Sequence, residues 1–164
     1  MNPRLEAKAE KVKFFITDVD GVLTDGRIIF TEQGDEIKLF HVHDGMGVKL
    51  GQKAGLKFAV ITGRKSEIVA RRAEELGVTE VYQGIEEKGK IFDQLLEKYG
   101  LTEEETAYIG DDINDLPVLE RCGLALTVAT GVDKVKEKVD YITDKKGGRG
   151  ALREAVKLIL EAKR

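Results

Sequence analysis

The sequence predicts an α/β fold, a doubly wound and mostly parallel sheet, on three observations. Short apolar runs alternate with amphipathic segments along most of the 164 residues, which is the pattern of strand–helix–strand units. The amphipathic segments begin and end at residues suited to capping helices. The length suits about one domain with an ordinary core, and no repeat, low-complexity tract or interdomain linker interrupts it. Residues 1–164 therefore read as a single domain.

The elements follow in order. The first strand is "VKFFITDV" from Val12. Between Asp25 and His41, "GRIIFTEQGDEIKLFH" breaks the rhythm and reads as two short strands around a Gln-Gly-Asp turn. This hairpin insertion, at about 26–41, is too small for a domain but long enough to flap over a sheet end. The second strand of the main series is "KFAVIT" from Lys57, followed by a helix over Ser66–Leu76 that a serine caps. Next come "EVYQG" from Glu80 and a helix over Gly89–Tyr99 that Gly100 ends. "TAYIGD" from Thr106 precedes a helix over Asn114–Arg121, ended near Gly123. "LALTVA" from Leu124 and a short "DYIT" from Asp140 complete the strands, and a tail at about 145–164 carries the last helix, Ala151–Ala162.

Composition narrows the function. A net charge of −3 argues against binding a phosphate backbone, so nucleic acid is not an expected partner, although basic residues can still gather around one small anion. No stretch approaches the roughly 20 apolar residues of a spanning helix, so no membrane is expected. Cys122 is the single cysteine, and "MNPRLEAKAEKVK" has no apolar signal core. Both features point to the cytoplasm. Charged residues reach 35%, which is compatible with a heat-adapted host and also with a solvated, helix-rich surface.

In a parallel sheet, ligands bind outside the carboxyl ends of the strands, near the point where connections diverge. Here those ends carry Asp18-Val19-Asp20-Gly21, Thr62-Gly63-Arg64, Lys88 after the third strand, and Gly110-Asp111-Asp112-Ile113-Asn114-Asp115. Carboxylates closing a buried strand are costly to keep dry and charged, so they need a cation, hydrogen bonds or a cleft. Each motif has an ordinary reading alone: a solvated turn, a helix cap, a surface lysine, an acidic helix start. Together, all at strand ends, they compose a site for phosphate and a divalent metal. Oxygen-only ligands favour a hard ion such as magnesium.

"DVDGVLTDG", "ITGR", Lys88 and "GDDINDLPVL" resemble the four motifs of the haloacid dehalogenase-like phosphatase superfamily. The hairpin in place of a cap domain, "FHVHDGMG" and the late "GGRGALRE" are similar to its capless members that act on 3-deoxy-D-manno-octulosonate 8-phosphate (KDO 8-phosphate) in lipopolysaccharide precursor synthesis. By position, Asp18 matches the nucleophile that forms an aspartyl-phosphate, and Asp20 the general acid and later base. The resemblance implies magnesium held by Asp18, the main-chain carbonyl of Asp20 and Asp111, with Asp112 or Asp115 orienting its waters. Thr62 and Lys88 match the hydroxyl and cation that face the phosphoryl oxygens.

For the sugar, the resemblance implies a substrate site lined by His41, Val42, His43, Asp44 and Gly45 with Lys49, Arg64 and Arg72, beside Asp20 and Lys88. The family commonly reads "NVRDGYG" where this chain has "HVHDGMG", and Arg where it has Lys49. An imidazole and an ammonium thus replace two guanidiniums, and both are poorer bidentate partners for a carboxylate. In the family the segment matching "KKGGRG" and the following helix reach a neighbouring subunit's site. Arg149 is therefore expected to act across an interface in a homotetramer, which would cover a cleft that no cap covers. Two other readings remain: a phosphatase of another acidic sugar, such as a 9-phosphorylated nonulosonate, and a phosphoreceiver signalling domain. Receivers are shorter and place the acceptor acid on a later strand.

Overall fold

The computed structural model describes residues 2–164 and begins with a helix outside those expected. In α1 (Pro3–Lys11) the Asn2 side chain accepts a hydrogen bond from the Leu5 amide, and Pro3 occupies the first turn, where its missing donor costs nothing. Only Leu5 and Ala9 of this helix are buried, too thin a stripe for periodicity to reveal. β1 (Phe14–Thr17) follows, then β2 (Ile29–Phe30) and β3 (Glu36–Ile37), an antiparallel pair that forms the expected hairpin. The Thr31 amide donates to the Asp35 carbonyl across its turn, at 2.8 Å.

The chain continues through α2 (Val42–Lys53), β4 (Lys57–Ile61), α3 (Glu67–Glu75), β5 (Glu80–Tyr82) and α4 (Lys88–Tyr99). Then come β6 (Thr106–Ile109), α5 (Leu116–Leu119), β7 (Leu124–Thr127), α6 (Asp133–Lys136), β8 (Tyr141–Ile142) and α7 (Ala151–Ala162). The six strands outside the hairpin form one sheet in the order β5-β4-β1-β6-β7-β8, every neighbouring pair parallel. The doubly wound parallel sheet is therefore as the sequence predicts.

Every residue of β1, β6 and β7 is buried, because helices cover both faces. Alternation along β1 sends Phe15 into a core with α1, α2, α3 and α7, and Phe14 and Ile16 into a second core with α4 and α5. β1 lies between β4 and β6, so the chain leaves it toward one edge and later returns on its other side. The carboxyl end of β1 is thus the switch point, where a crevice opens.

Two departures bear on function. Residues Val42–Lys53, just beyond the expected hairpin and not expected as a helix, form α2, with His41 as its cap. Gly45, Gly47 and Gly51 each cost an isolated helix about 1 kcal/mol, which hides it from propensity. Packing decides in its favour: a Cβ on Gly47 would come within 2.9 Å of the Arg153 Cα, so only a glycine lets α2 and α7 approach. The helix expected over Asn114–Arg121 is shorter. A tight turn at Ile113–Asp115 leads into the four-residue α5, because the Asp115 carboxylate folds back onto the amides of Asp111 and Asp112.

Candidate active site

Asp18 continues β1 by one residue, its amide donating to the Ile109 carbonyl of β6 at 3.0 Å. That ladder bond fixes where the carboxylate emerges, and Asp18 is only 5% exposed. Its Oδ1 accepts from the Val19 amide at 2.7 Å and lies 3.1 Å from Lys88 Nζ. Lys88, the first residue of α4, is fully buried and reaches Asp115 Oδ1 at 2.7 Å and the Tyr108 hydroxyl at 3.3 Å. Burial works against its charge, but Asp18 and Asp115 outweigh that and leave its pKa raised. Lys88 stays an ammonium.

Asp115 has both oxygens occupied. Oδ1 accepts from Lys88 and from the Tyr108 hydroxyl at 2.6 Å, and Oδ2 from the amides of Asp111 and Asp112. It is therefore an anchor for Lys88 and for the loop after β6. Tyr108, buried in β6, went unnoticed in the sequence because a tyrosine in an apolar run reads as core.

Asp18, Asp111 and Asp115 each offer a carboxylate oxygen within 4.8 Å of the others, with one lysine among them. Burial and then the Asp115 charge push Asp18 up to about 6, against the pull of Lys88. Burial, then Asp18, Asp115 and Asp112, push Asp111 up to about 8. This excess of crowded negative charge, made of hard oxygen donors, fits a divalent cation. Gly21 makes the crowding possible. A Cβ there would fall 1.9 Å from Asp111 Oδ2, and its φ of +89° is one that side-chain-bearing residues avoid.

Thr62 and Arg64, at the end of β4, line a cleft of about 260 Å³ with Asp18, Asp20, Asp111, Asp112 and Asn114. The side chain of Asp20 points to the hairpin, where Lys38 Nζ lies 2.5 Å from its Oδ1. Lys38 also lies 2.8 Å from Glu36, which is 3.3 Å from Arg64. Lys38 and Glu36 were missed in the sequence. The signal was there: in "EIKLF" Ile37 and Leu39 face outward, so alternation turns Lys38 inward.

Other residues expected around the sugar do not reach this cleft within the chain. Asp44 is buried and caps α7 from outside, accepting from the amides of Gly150 and Arg153 at 3.3 and 3.1 Å. Burial raises its pKa against those bonds. Gly45 packs on Arg72, whose guanidinium lies over Phe40 and pairs with Glu75. Val42 and Lys49 are exposed on α2. His41 accepts from the His43 amide, and both line a separate groove of about 690 Å³ with Arg149. The tail itself touches its own chain's loop after β1: the Gly148 amide donates to the Val22 carbonyl at 2.8 Å, and a Cβ on Gly147 would fall 1.8 Å from the Gly21 carbonyl oxygen.

Residues 77–154 match a family model described as haloacid dehalogenase-like hydrolase. The chain is 42% identical to the 3-deoxy-D-manno-octulosonate 8-phosphate phosphatase of Salmonella typhimurium, over 99% of its own length and 86% of that protein's. The enzyme of the same name from Haemophilus influenzae is 44% identical, over 96% and 88% of the two lengths. The crystal structure of that phosphatase from Moraxella catarrhalis, in complex with magnesium, phosphate and KDO, superposes with a TM-score of 0.96 at 41% identity, covering 99% of this chain and 93% of the other.

Proposed function

Because the chain belongs to the haloacid dehalogenase-like hydrolases, and within them to the KDO 8-phosphate phosphatases, we propose the following account of its activity and of the residues that carry it. The protein is a magnesium-dependent phosphomonoesterase that hydrolyses KDO 8-phosphate to KDO and inorganic phosphate. The observation that carries the site assignment is the buried Lys88 ammonium, shared between Asp18 and Asp115 beside Asp111 at the switch point.

An oxygen of Asp18 attacks phosphorus, the bond to the sugar oxygen breaks, and Asp20 delivers a proton to that oxygen. Asp20, now a base, takes a proton from water, whose oxygen attacks phosphorus and frees Asp18 and phosphate. A carboxylate serves as nucleophile because it is ionised without activation. Lys88 and Thr62 face the phosphoryl oxygens, over which transition-state charge is spread. Asp18, Asp111 and the Asp20 carbonyl would hold magnesium, which would supply charge to offset the crowded carboxylates and the incoming dianion. Arg64, on the cleft wall, supports a role in meeting the sugar acid, since its guanidinium suits a carboxylate.

The remaining sugar-binding residues fit a site completed by another copy. His41, His43 and Arg149 share one groove outside the cleft. Ile28, Phe30, Leu39, Val42 and Met46 are each more than half exposed along the hairpin and the start of α2, an apolar face suited to burial between copies. A homotetramer, working in the cytoplasm as one catalytic domain per chain, accommodates both features. No helix of the described residues is long and apolar enough to cross a membrane.

The test is phosphate release from KDO 8-phosphate beside a 9-phosphorylated nonulosonate, compared as kcat/KM. A clear preference for KDO 8-phosphate is expected, and preference for the nonulosonate would reassign the substrate. Asp18→Asn is expected to fold and to lose turnover, since an amide is a poor nucleophile. Full activity in that variant would reject the site.

A further inference from the structure

Lys38 turns inward on a surface hairpin. Its side chain is 2% exposed although the residue as a whole is half-buried, and its neighbours Ile37 and Leu39 are exposed. An ammonium withdrawn from water is costly unless carboxylates meet it, and a hairpin needing only an inward anchor would use an apolar residue. Here the amine meets two carboxylates, Asp20 at 2.5 Å and Glu36 at 2.8 Å, and Glu36 lies 3.3 Å from Arg64 on the cleft wall. Charges at ion-pair distance therefore run from Asp20 through Lys38 and Glu36 to Arg64 on the cleft wall, hydrogen-bonded at the Asp20 end and held at Glu36 Oε1 by charge alone.

We propose that Lys38 is a positioning residue, holding the Asp20 carboxylate in the orientation its proton transfers require and tying it through Glu36 to Arg64. The hairpin then has a task inside its own subunit: it is the arm that aims the acid–base group. This rests on Asp20 being that group. Asp20 stands on a loop beyond β1, and among the described residues Lys38 is the one side chain that hydrogen-bonds to its carboxylate. Proton transfer depends steeply on donor alignment, so loss of the arm should slow the step that needs the proton more than it weakens substrate binding.

The experiment compares Lys38→Met, Lys38→Arg, Asp20→Asn and the double variant Lys38→Met with Asp20→Asn, on KDO 8-phosphate and on p-nitrophenyl phosphate. The sugar alkoxide is a poor leaving group and needs a proton, whereas nitrophenolate does not. Lys38→Met is expected to lower kcat on the sugar ester by about tenfold to a hundredfold, with KM within about twofold and a smaller loss on the aryl ester. Lys38→Arg should recover most of the wild-type ratio between the esters. In the Asp20→Asn background, adding Lys38→Met should change kcat on the sugar ester by less than about twofold, because the group it acts through is gone.

The ratio is insensitive to a partly unfolded preparation, which loses both activities alike. Wild-type turnover of the sugar ester by Lys38→Met, a raised KM with unchanged kcat, or additive losses in the double variant would overturn the proposal. Wild-type turnover of the sugar ester by Asp20→Asn would instead remove the acid–base reading beneath it. A slow Asp20→Asn beside a wild-type Lys38→Met removes the positioning role alone.

Discussion

Lys88 Nζ lies 2.7 Å from Asp115 Oδ1, closer than the 3.1 Å separating it from Asp18. The lysine expected to serve the phosphate is thus held from behind by an acid with neither oxygen free. This leaves Nζ beside Asp18, the proposed nucleophile, and it makes Asp115 a support for both the lysine and the acidic loop.

Asp115→Ala should accordingly destabilise the protein by about 2–3 kcal/mol, because it leaves two amides and the Tyr108 hydroxyl without their acceptor and removes one of the two carboxylates that meet the Lys88 ammonium. Activity should fall with it, as Lys88 loses its aim. Chemical denaturation measures the first effect and phosphate release the second. A loss below about 1 kcal/mol would mean that water or a neighbour replaces the carboxylate.

Removing divalent metal with a chelator should abolish turnover, and magnesium should restore it. Calcium should not, since it takes more ligands at longer distances and would let Asp18 bind in a geometry unsuited to in-line attack. Magnesium should also raise the melting temperature, since at a hundred times its dissociation constant a ligand adds about 2.7 kcal/mol to stability. Equal rates with calcium would count against Asp18 as a ligand.

Far from the cleft, Glu80 gives a stability that depends on pH. Burial alone would raise its pKa, but Lys98, Tyr82 and Tyr99 all hydrogen-bond to it and hold it near 2, below the ordinary 4.5. A depressed folded-state pKa means that the unfolded chain takes up the proton first on acidification. The stabilisation is therefore complete above about pH 4.5 and lost between there and about pH 2. Glu80→Gln should melt lower than wild type at pH 7, and the gap should close toward pH 2. A gap independent of pH would show that packing, not charge, holds this corner.

Arg149 is tested best by Arg149→Ala in the full chain. Deleting the tail would also remove the seven buried residues of α7 and the Gly148 contact with the catalytic loop, so it would confuse function with folding. Arg149→Ala should raise KM on the sugar phosphate by about tenfold and leave p-nitrophenyl phosphate hydrolysis nearly unchanged, the size of one lost charge-assisted contact. An unaltered ratio between the two esters would make the arginine structural.

The strands, the hairpin, the Ser66 cap and the Gly100 stop were legible because each rests on local signals: apolar runs, turn residues and caps. α1 and α2 were not. One buries two residues, and the other contains three glycines whose local cost is recovered only in packing against α3, β4 and α7. Propensity cannot register a benefit supplied by residues a hundred positions away.

By itself the sequence determined the parallel sheet and the acids, hydroxyl and lysine at its strand ends, because the succession of strands along the chain and their ends follow from the hydrophobic pattern. Only the tertiary structure decided how those groups are paired: that Asp115 anchors Lys88, that Asp44 caps α7, that Lys38 meets Asp20, and that His41, His43 and Arg149 gather in a groove of their own. The reason is physical. Burial in a pattern is a property of one residue and its neighbours along the chain, whereas the partner that satisfies a buried charge is set by which distant segments packing brings within 3 Å.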